Sequence, residues 1–352
     1  MKIVFCWSAI SGYMVACWRE LARRTGIELH VLAHSSASNT GFDTTLLEGL
    51  SHTLLDQAAR EDARSIEQLV VEQRPDIVVT TGWWLPAYRN LVHSPRLART
   101  KFVMGVDSPW RHEAQFLTRL RYGKSLRKFH HFFVTGERSW QYVTRLGVPP
   151  SQISRGMYGV DAAGWNRVAA DRPASPWPRQ FVFLGRYERV KAVDMLAAGY
   201  RAYRSSVTDP WPLVCCGAGP DRSLLEGVPG IIDKGFVQPH DLPAVLVESG
   251  AFVLPSRFDP WPLALVEAAA AGLPVICTDA CGSAVEVVRP FYNGLVIPTD
   301  SPAALAEAFR FLDEQGGSLA DWGQRSMELA RPYAAEYWAD RWESALVRLS
   351  TE

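Results

Sequence analysis

Residues 251–279 run AFVLPSRFDPWPLALVEAAAAGLPVICTD. The apolar run Phe252–Leu254 has the length and composition of a buried strand. A proline-rich loop follows, then an alanine-rich run with Pro262 at its start and Gly272 at its end. Proline costs nothing in the first turn of a helix, and glycine suits the residue just past its end. Pro274 opens a second apolar run. Strand, helix and strand in this order form a crossover unit, which sets two strands parallel in one sheet. Two acids are fixed within it: Asp259 just before the helix, and Glu267 about a turn and a half inside. Three loop residues and five helical ones separate them by at most ~17 Å. The carboxylates can therefore hold hydroxyls at opposite ends of one ligand whose anionic middle meets the helix N-terminus. A capping role for Asp259 and a solvated one for Glu267 would produce the same spacing.

The alternation extends outward from this unit. In the second half, FVFLGR, PLVCCGAGP, GIIDKGFV, AFVLPS, LPVICT and GLVIP are strand segments. In the first half the strand segments are Lys2–Phe5, Ile27–Leu32, Asp76–Thr80, Lys101–Gly105 and His131–Val134. Amphipathic stretches such as YMVACWRELARRTG and EDARSIEQLVVEQRP lie between them. The expected class is α/β, with two Rossmann-like parallel-sheet domains facing a cleft and ligands beyond the carboxyl ends of the strands. DAAGWNRVAADRPASPWPR, residues 161–179, carries three prolines and no periodic apolar face. The expected division is a first domain at 1–164, a linker at 165–179 and a second domain at 180–334. The last helix, 335–352, has Trp338, Trp342, Ala345 and Leu349 on one face and is expected to pack back on the first domain.

The chain has 352 residues, long for one core, and its net charge is zero. The zero hides an asymmetry: residues 1–165 carry 20 Lys/Arg against 14 Asp/Glu, and the remainder carries 17 against 23. No nucleic-acid partner is expected. The N-terminus lacks the pattern of a signal peptide, and no apolar run reaches the ~20 residues of a membrane span. The expected location is cytoplasmic, peripheral at the inner membrane face. Cys6, Cys17, Cys215 and Cys216 fall in apolar segments, where cysteine is a small buried hydrophobe. Cys277 and Cys281 have no second pair or nearby histidine to complete a zinc set, so no metal is expected.

FVFLGRYERVKAVDML, residues 181–196, places Gly185 at a strand end, Arg186 next to it, and Lys191 at the opening of a helix. Two cations there suit a diphosphate, the guanidinium by its fork and the ammonium as a point charge. Two solvated surface cations would look the same. In PLVCCGAGPDRSLLE, a turn at Gly217 between strand and helix lets a ligand approach the backbone closely.

FLGRYERVKAVDML, CCGAGPDRSLLE, KGFVQPHDLP and PSRFDPWPLALVEAAAAGLPVI, followed by GSAVEVV and NGLVI, come in the order and spacing of family 4 retaining glycosyltransferases. The resemblance covers residues 181–297. It implies a GT-B enzyme that moves a hexose-type sugar from a nucleoside diphosphate sugar, its co-substrate, to an acceptor hydroxyl without metal. By the same resemblance Arg186 and Lys191 bind the donor diphosphate, and Glu267 binds the ribose hydroxyls. Asp259 contacts the transferred sugar, and Gly235, Phe236 and Val237 hold the base; Gly185, Gly217, Trp261, Pro262 and Leu263 complete the donor-binding set. The sequence departs from the family in three places. Asp259 stands for the usual Glu, Pro262 for a common glycine, and Tyr158 for the usual Asn. Pro262 removes one N–H that could face the phosphates.

The first half supplies an acceptor side. Ser11 and Gly12 open a helix in a loop that could meet the donor phosphates. Asp107 ends a strand, near where the family often has a histidine or acid beside the reacting sugar. Asp107, Trp110, His112 and Trp83 are the acceptor-side residues, and Asp107 joins Arg186, Lys191 and Asp259 in the catalytic set; an Asp that follows a strand is more often a helix cap. Residues 111–131, RHEAQFLTRLRYGKSLRKFHH, hold six Lys/Arg and one acid among apolar residues. Such a segment suits an anionic membrane or an anionic acceptor, whether carbohydrate, lipid-linked or small. The alternatives are a nucleotide-sugar epimerase, a phosphorylase-like enzyme, and a non-catalytic nucleotide-sugar-binding protein.

Overall fold

The computed structural model describes residues 1–34, 44–56, 59, 62–82 and 84–351. The chain forms two compact units, Met1–Val160 with Ala335–Glu352, and Asp161–Ala334.

The first unit contains β1 (Lys2–Trp7), β2 (Glu28–His34), β3 (Ser51–Leu55), β4 (Ile77–Thr81), β5 (Lys101–Val106), β6 (His131–Val134) and β7 (Ile153–Arg155). All pairings are parallel, in the order β3-β2-β1-β4-β5-β6-β7. Helices cover both faces, so side chains of both parities are buried. In β1, Ile3, Phe5 and Trp7 enter one core, while Val4 and Cys6 enter the other. The helix Ala335–Thr351 buries Trp338, Trp342, Ala345 and Leu349 in the first of these cores. Trp342 stacks on Phe133 with ring centroids 3.7 Å apart, and both indoles donate to the chain after β7: Trp338 to Met157 O and Trp342 to Gly156 O. β3 and β7 are edge strands that the apolar pattern did not reveal. β3 begins with exposed Ser51 and His52, and β7 is three residues long.

The second unit contains β8 (Phe181–Leu184), β9 (Leu213–Cys216), β10 (Ile231–Gly235), β11 (Ala251–Leu254), β12 (Val275–Thr278) and β13 (Gly294–Ile297). Again every pairing is parallel, in the order β10-β9-β8-β11-β12-β13. The strand order reverses between β8 and β11. The loops after those two strands therefore flank the point where such sheets bind ligands.

Three local expectations are corrected. Residues 162–171, inside the segment expected to be irregular, form a helix. Asp161 caps it at the Gly164 N–H, and Ala162 and Val168 are buried. Lys191 does not open a helix: it ends a 3₁₀ turn, Arg189–Lys191, and left-handed Ala192 (φ 55°) separates that turn from the helix Val193–Ser206. The segment after Gly219 is a six-residue 3₁₀ turn, Pro220–Leu225, rather than an α-helix.

Candidate functional site

The residues expected to hold the donor, Glu267 apart, lie on the loops that leave the carboxyl ends of the second unit's strands. At the end of β8, Gly185 N–H donates to Cys216 O at 3.1 Å, and Tyr187 N–H donates to Ala218 O at 2.8 Å. Gly217 N–H donates to Gly235 O at 2.8 Å, so the ends of β8, β9 and β10 are tied in series. A Cβ on Gly217 would lie 1.9 Å from Gly185 O, and one on Gly219 would lie 2.2 Å from Tyr187 O. The smallness of these glycines is thus used by the neighbouring loop of the same chain. Below them Tyr187 OH and Gly235 N–H both donate to Asp233, and Arg222 pairs with the same carboxylate. Gly235 has φ +66°, followed by exposed Phe236 and partly buried Val237.

The two cations are treated differently. Arg186 is mostly exposed and pairs with Glu188 at 2.9 Å. Lys191 is largely buried and pairs with Asp259 across 68 positions of sequence. Sequence spacing gave no hint of this contact. Arg257 fastens the two loops: its N–H donates to Val190 O at 2.8 Å, and its guanidinium grips Asp194 through both oxygens and also pairs with Asp300. Arg257 lies two residues from Asp259, and its sequence neighbours do not mark it for this role.

Asp259 is buried, and its backbone is clamped. Its N–H donates to Ala280 O, and its carbonyl accepts from Gly282 N–H at 2.8 Å. A Cβ on Gly282 would meet Pro260 O at 1.7 Å, so glycine alone permits this approach. Pro262 is the N-cap of the helix Leu263–Ala270, and its carbonyl accepts from Ser283 Oγ at 3.1 Å. Trp261 is buried against Tyr333, with ring centroids 5.6 Å apart; Leu263 is partly exposed. The helix ends at Ala271, and Gly272 follows at φ +70°.

Glu267 lies within that helix. Burial first, and the charge of Asp161 second, push its carboxyl up from 4.5 to about 7. Between those values the folded chain keeps a proton that the unfolded chain has released. Stability therefore falls as pH rises through this window, and the loss is complete above the folded value. Glu267→Gln is expected to match the wild type near pH 4.5 and to exceed it by roughly 3 kcal/mol at pH 8. Urea unfolding at the two pH values checks this. Equal pH dependence of both proteins would contradict it.

In the first unit, Asp107 follows β5 and accepts from Tyr158 OH at 3.3 Å, while its carbonyl accepts from Ser139 Oγ. Tyr158 packs edge-on against Tyr13 and Trp7, at the carboxyl end of β1. Tyr158, the departure from Asn, is therefore the direct neighbour of Asp107. Burial, then the Asp107 charge, raises the Tyr158 hydroxyl pKa well above the ordinary value, so it stays protonated and donates. Ser11 is the N-cap of the helix Gly12–Ala22 and Gly12 its first residue. Trp110 packs on Phe116 and Tyr142 under the guanidinium of Arg145. His112 is exposed, and its backbone N–H donates to Gln115. Trp84 is 56% exposed; Trp83 lies outside the described residues.

Comparison with known proteins defines the class. Residues 178–314 match the family described as Glycosyl transferases group 1. D-rhamnosyltransferase WbpZ of Pseudomonas aeruginosa is 29% identical over 182 residues, which are 48% of this chain and 46% of the relative. The chain spans about half the length of the curated relatives it matches. Among solved structures, the lipopolysaccharide outer core galactosyltransferase WaaB has a TM-score of 0.71 at 17% identity, covering 99% of both chains. HepE of Anabaena in complex with UDP has a TM-score of 0.76 at 15% identity, covering 99% of this chain and 100% of its own. The fold is the GT-B type of α/β protein.

Proposed function

We propose that this protein moves a hexose-type sugar from a nucleoside diphosphate sugar to an acceptor hydroxyl, with retention of anomeric configuration and without metal. The observation that carries this reading is the Lys191–Asp259 pair. It joins the loop after β8, which also carries Arg186, to the loop that leads into the helix Leu263–Ala270, in the unit that matches the glycosyltransferase family. Departure of a nucleoside diphosphate leaves negative charge on its oxygens and positive character on the sugar ring. Arg186, Lys191 and the N–H groups that open the helix would stabilise the leaving charge, the role a metal ion has in other transferases. Asp259 would orient the hydroxyls of the transferred sugar, and Gly235, Phe236 and Val237 would hold the base. Asp107 would serve the acceptor side.

Glu267 would accept the ribose hydroxyls, which its ionised form does best. Its raised pKa then makes donor affinity climb as pH rises through about 7. The acceptor would be a carbohydrate, a lipid-linked sugar or a small molecule, and residues 111–131 would give peripheral contact with an anionic membrane.

The test is product analysis. Nucleoside diphosphate should be released only when an acceptor is present, and NMR of the product should show the donor's anomeric configuration. Release of free sugar-1-phosphate, or isomerisation of the nucleotide sugar without acceptor, would replace this reading with a phosphorylase or an epimerase. Binding with no turnover of any donor would leave a nucleotide-sugar-binding protein.

A further inference from the structure

A pocket of about 510 Å³ lies in the first unit, and none of the described residues expected to meet donor or acceptor lines it. Its place follows from the sheet. All three residues of β7 line it, with Trp140 from the helix Glu137–Arg145 and Arg341 and Arg348 from the helix Ala335–Thr351. The two helices cover opposite faces. Tyr142 and Val143 share a core with Phe132 and Val134 of β6, whereas Trp342 stacks on Phe133. A cavity that touches both helices and the whole of an edge strand therefore straddles the open edge of the sheet.

Among the described residues, three arginines line this pocket, Arg155, Arg341 and Arg348, against one acid, Asp340. Asp340 is held by Arg24 at 2.7 Å. Arg155 pairs with Glu137, and its guanidinium stands 5.1 Å from the centre of the Trp140 ring. Arg341 is packed in place. A Cβ on Gly156 (φ +88°) would lie 2.7 Å from its Nε, so the missing side chain is what admits the guanidinium beside the end of β7. Arg348 is exposed, and among the described residues no carboxylate lies within ion-pair distance of it. Burial first, and the Arg348 charge second, lower the pKa of His131 to about 4. Its ring, bonded to Ser154 Oγ at 2.9 Å, is thus neutral, and the guanidinium groups carry the charge of the pocket.

We propose that this pocket binds a small phosphorylated ligand, with the phosphate between Arg341 and Arg348 and the body of the ligand against Trp140 and Ile153. Two turns apart, these two arginines stand on one helical face about 10 Å from each other along the axis, a gap their side chains span. Three cations around one cavity repel one another, and a dianion among them turns that repulsion into attraction. A phosphate has oxygens enough for two guanidinium forks, where a single carboxylate fills one. The volume falls within the ~300–1,000 Å³ usual for a small-ligand site. An acidic peptide that added a strand to the sheet would find only the three residues of β7 to pair with, too short an edge for a ladder. The pocket and the Lys191–Asp259 pair belong to different units, so neither site needs the other.

Isothermal titration calorimetry with phenyl phosphate tests it, with inorganic phosphate and phenol as the partial probes. Phenyl phosphate should bind, more tightly than inorganic phosphate, and phenol should give no heat of binding. Arg348→Gln should weaken phenyl phosphate about tenfold, the effect of losing one bond to a charged group. Arg348 is exposed, so that variant should keep its melting temperature. Arg341→Lys keeps the charge but loses the fork, and it should also bind more weakly. Arg186→Ala should leave this binding intact, which separates it from any phosphate contact in the second unit. No binding at millimolar phenyl phosphate would overturn the proposal and leave the arginines as guards of an open strand edge. Binding that Arg186→Ala abolishes and Arg348→Gln does not touch would move the ligand to the second unit and overturn it too.

Discussion

Replacing Lys191 with alanine is expected to lower turnover of the nucleotide-sugar donor by about 10²–10³-fold, the range seen when one donor to a developing negative charge is removed. The ammonium is fixed, not merely near. It is mostly buried and paired with Asp259, and the loop that carries it is fastened by Arg257 through Val190 O and Asp194. A fixed cation loses little on reorganising when the leaving group gains charge. Arg186, exposed and paired with Glu188 in its own loop, should matter as a second phosphate contact, and its alanine variant should also lose rate. The Lys191 variant leaves the Asp259 carboxylate buried without its partner. Its melting temperature must therefore be measured with the rate. Near-wild-type turnover in both cation variants would remove them from the reaction.

The second large effect is on stability. Arg172→Met is expected to cost ~3–5 kcal/mol, because it removes a buried charge that three carbonyls depend on. Arg172 Nη1 donates to Ala271 O at 2.7 Å and to Gly272 O at 3.0 Å, and Nη2 donates to Leu246 O at 2.7 Å. One guanidinium thus closes the C-terminal ends of two helices, Leu263–Ala270 and Leu242–Val247, where their dipoles favour a cation. Burial lowers its pKa to about 10, still far above neutrality, so the charge persists. Its guanidinium also lies over Trp177, whose indole N–H donates to Gly250 O. Calorimetry should show a melting temperature lower by roughly 10 °C. A loss below about 1 kcal/mol would mean that water replaces the guanidinium at those carbonyls.

These two residues show where sequence is informative and where it is silent. The four inner strands of the second unit were legible because a strand covered on both faces must be a short apolar run, and FVFL, LVCC, AFVL and VICT are such runs; its edge strands β10 and β13 kept enough apolar residues, IIDKG and GLVI, to be read as well. Edge strands lack that constraint, which is why β3 and β7 went unrecognised. Arg172 was invisible for another reason. It stands in a proline-rich segment without periodicity, and its partners lie 74 to 100 positions away. In the site, residue types were legible and partners were not. Asp259 and Lys191 could each be selected from a motif, yet their contact, the Arg257 clamp and the Gly282 approach exist only in the folded chain. Tyr158 was legible as a departure from a family pattern, but its bond to Asp107 required the sheet.

We propose that the second unit holds a nucleoside diphosphate sugar through Lys191 and Arg186. The most direct test is the melting temperature of the wild type and of the Lys191→Ala and Arg186→Ala variants with UDP-, GDP- and ADP-sugars, since a ligand that binds only the folded state raises it. One nucleotide class should stabilise the wild type, with a shift that both variants reduce or abolish. No shift with any of the three classes, or an undiminished shift in both variants, would contradict it.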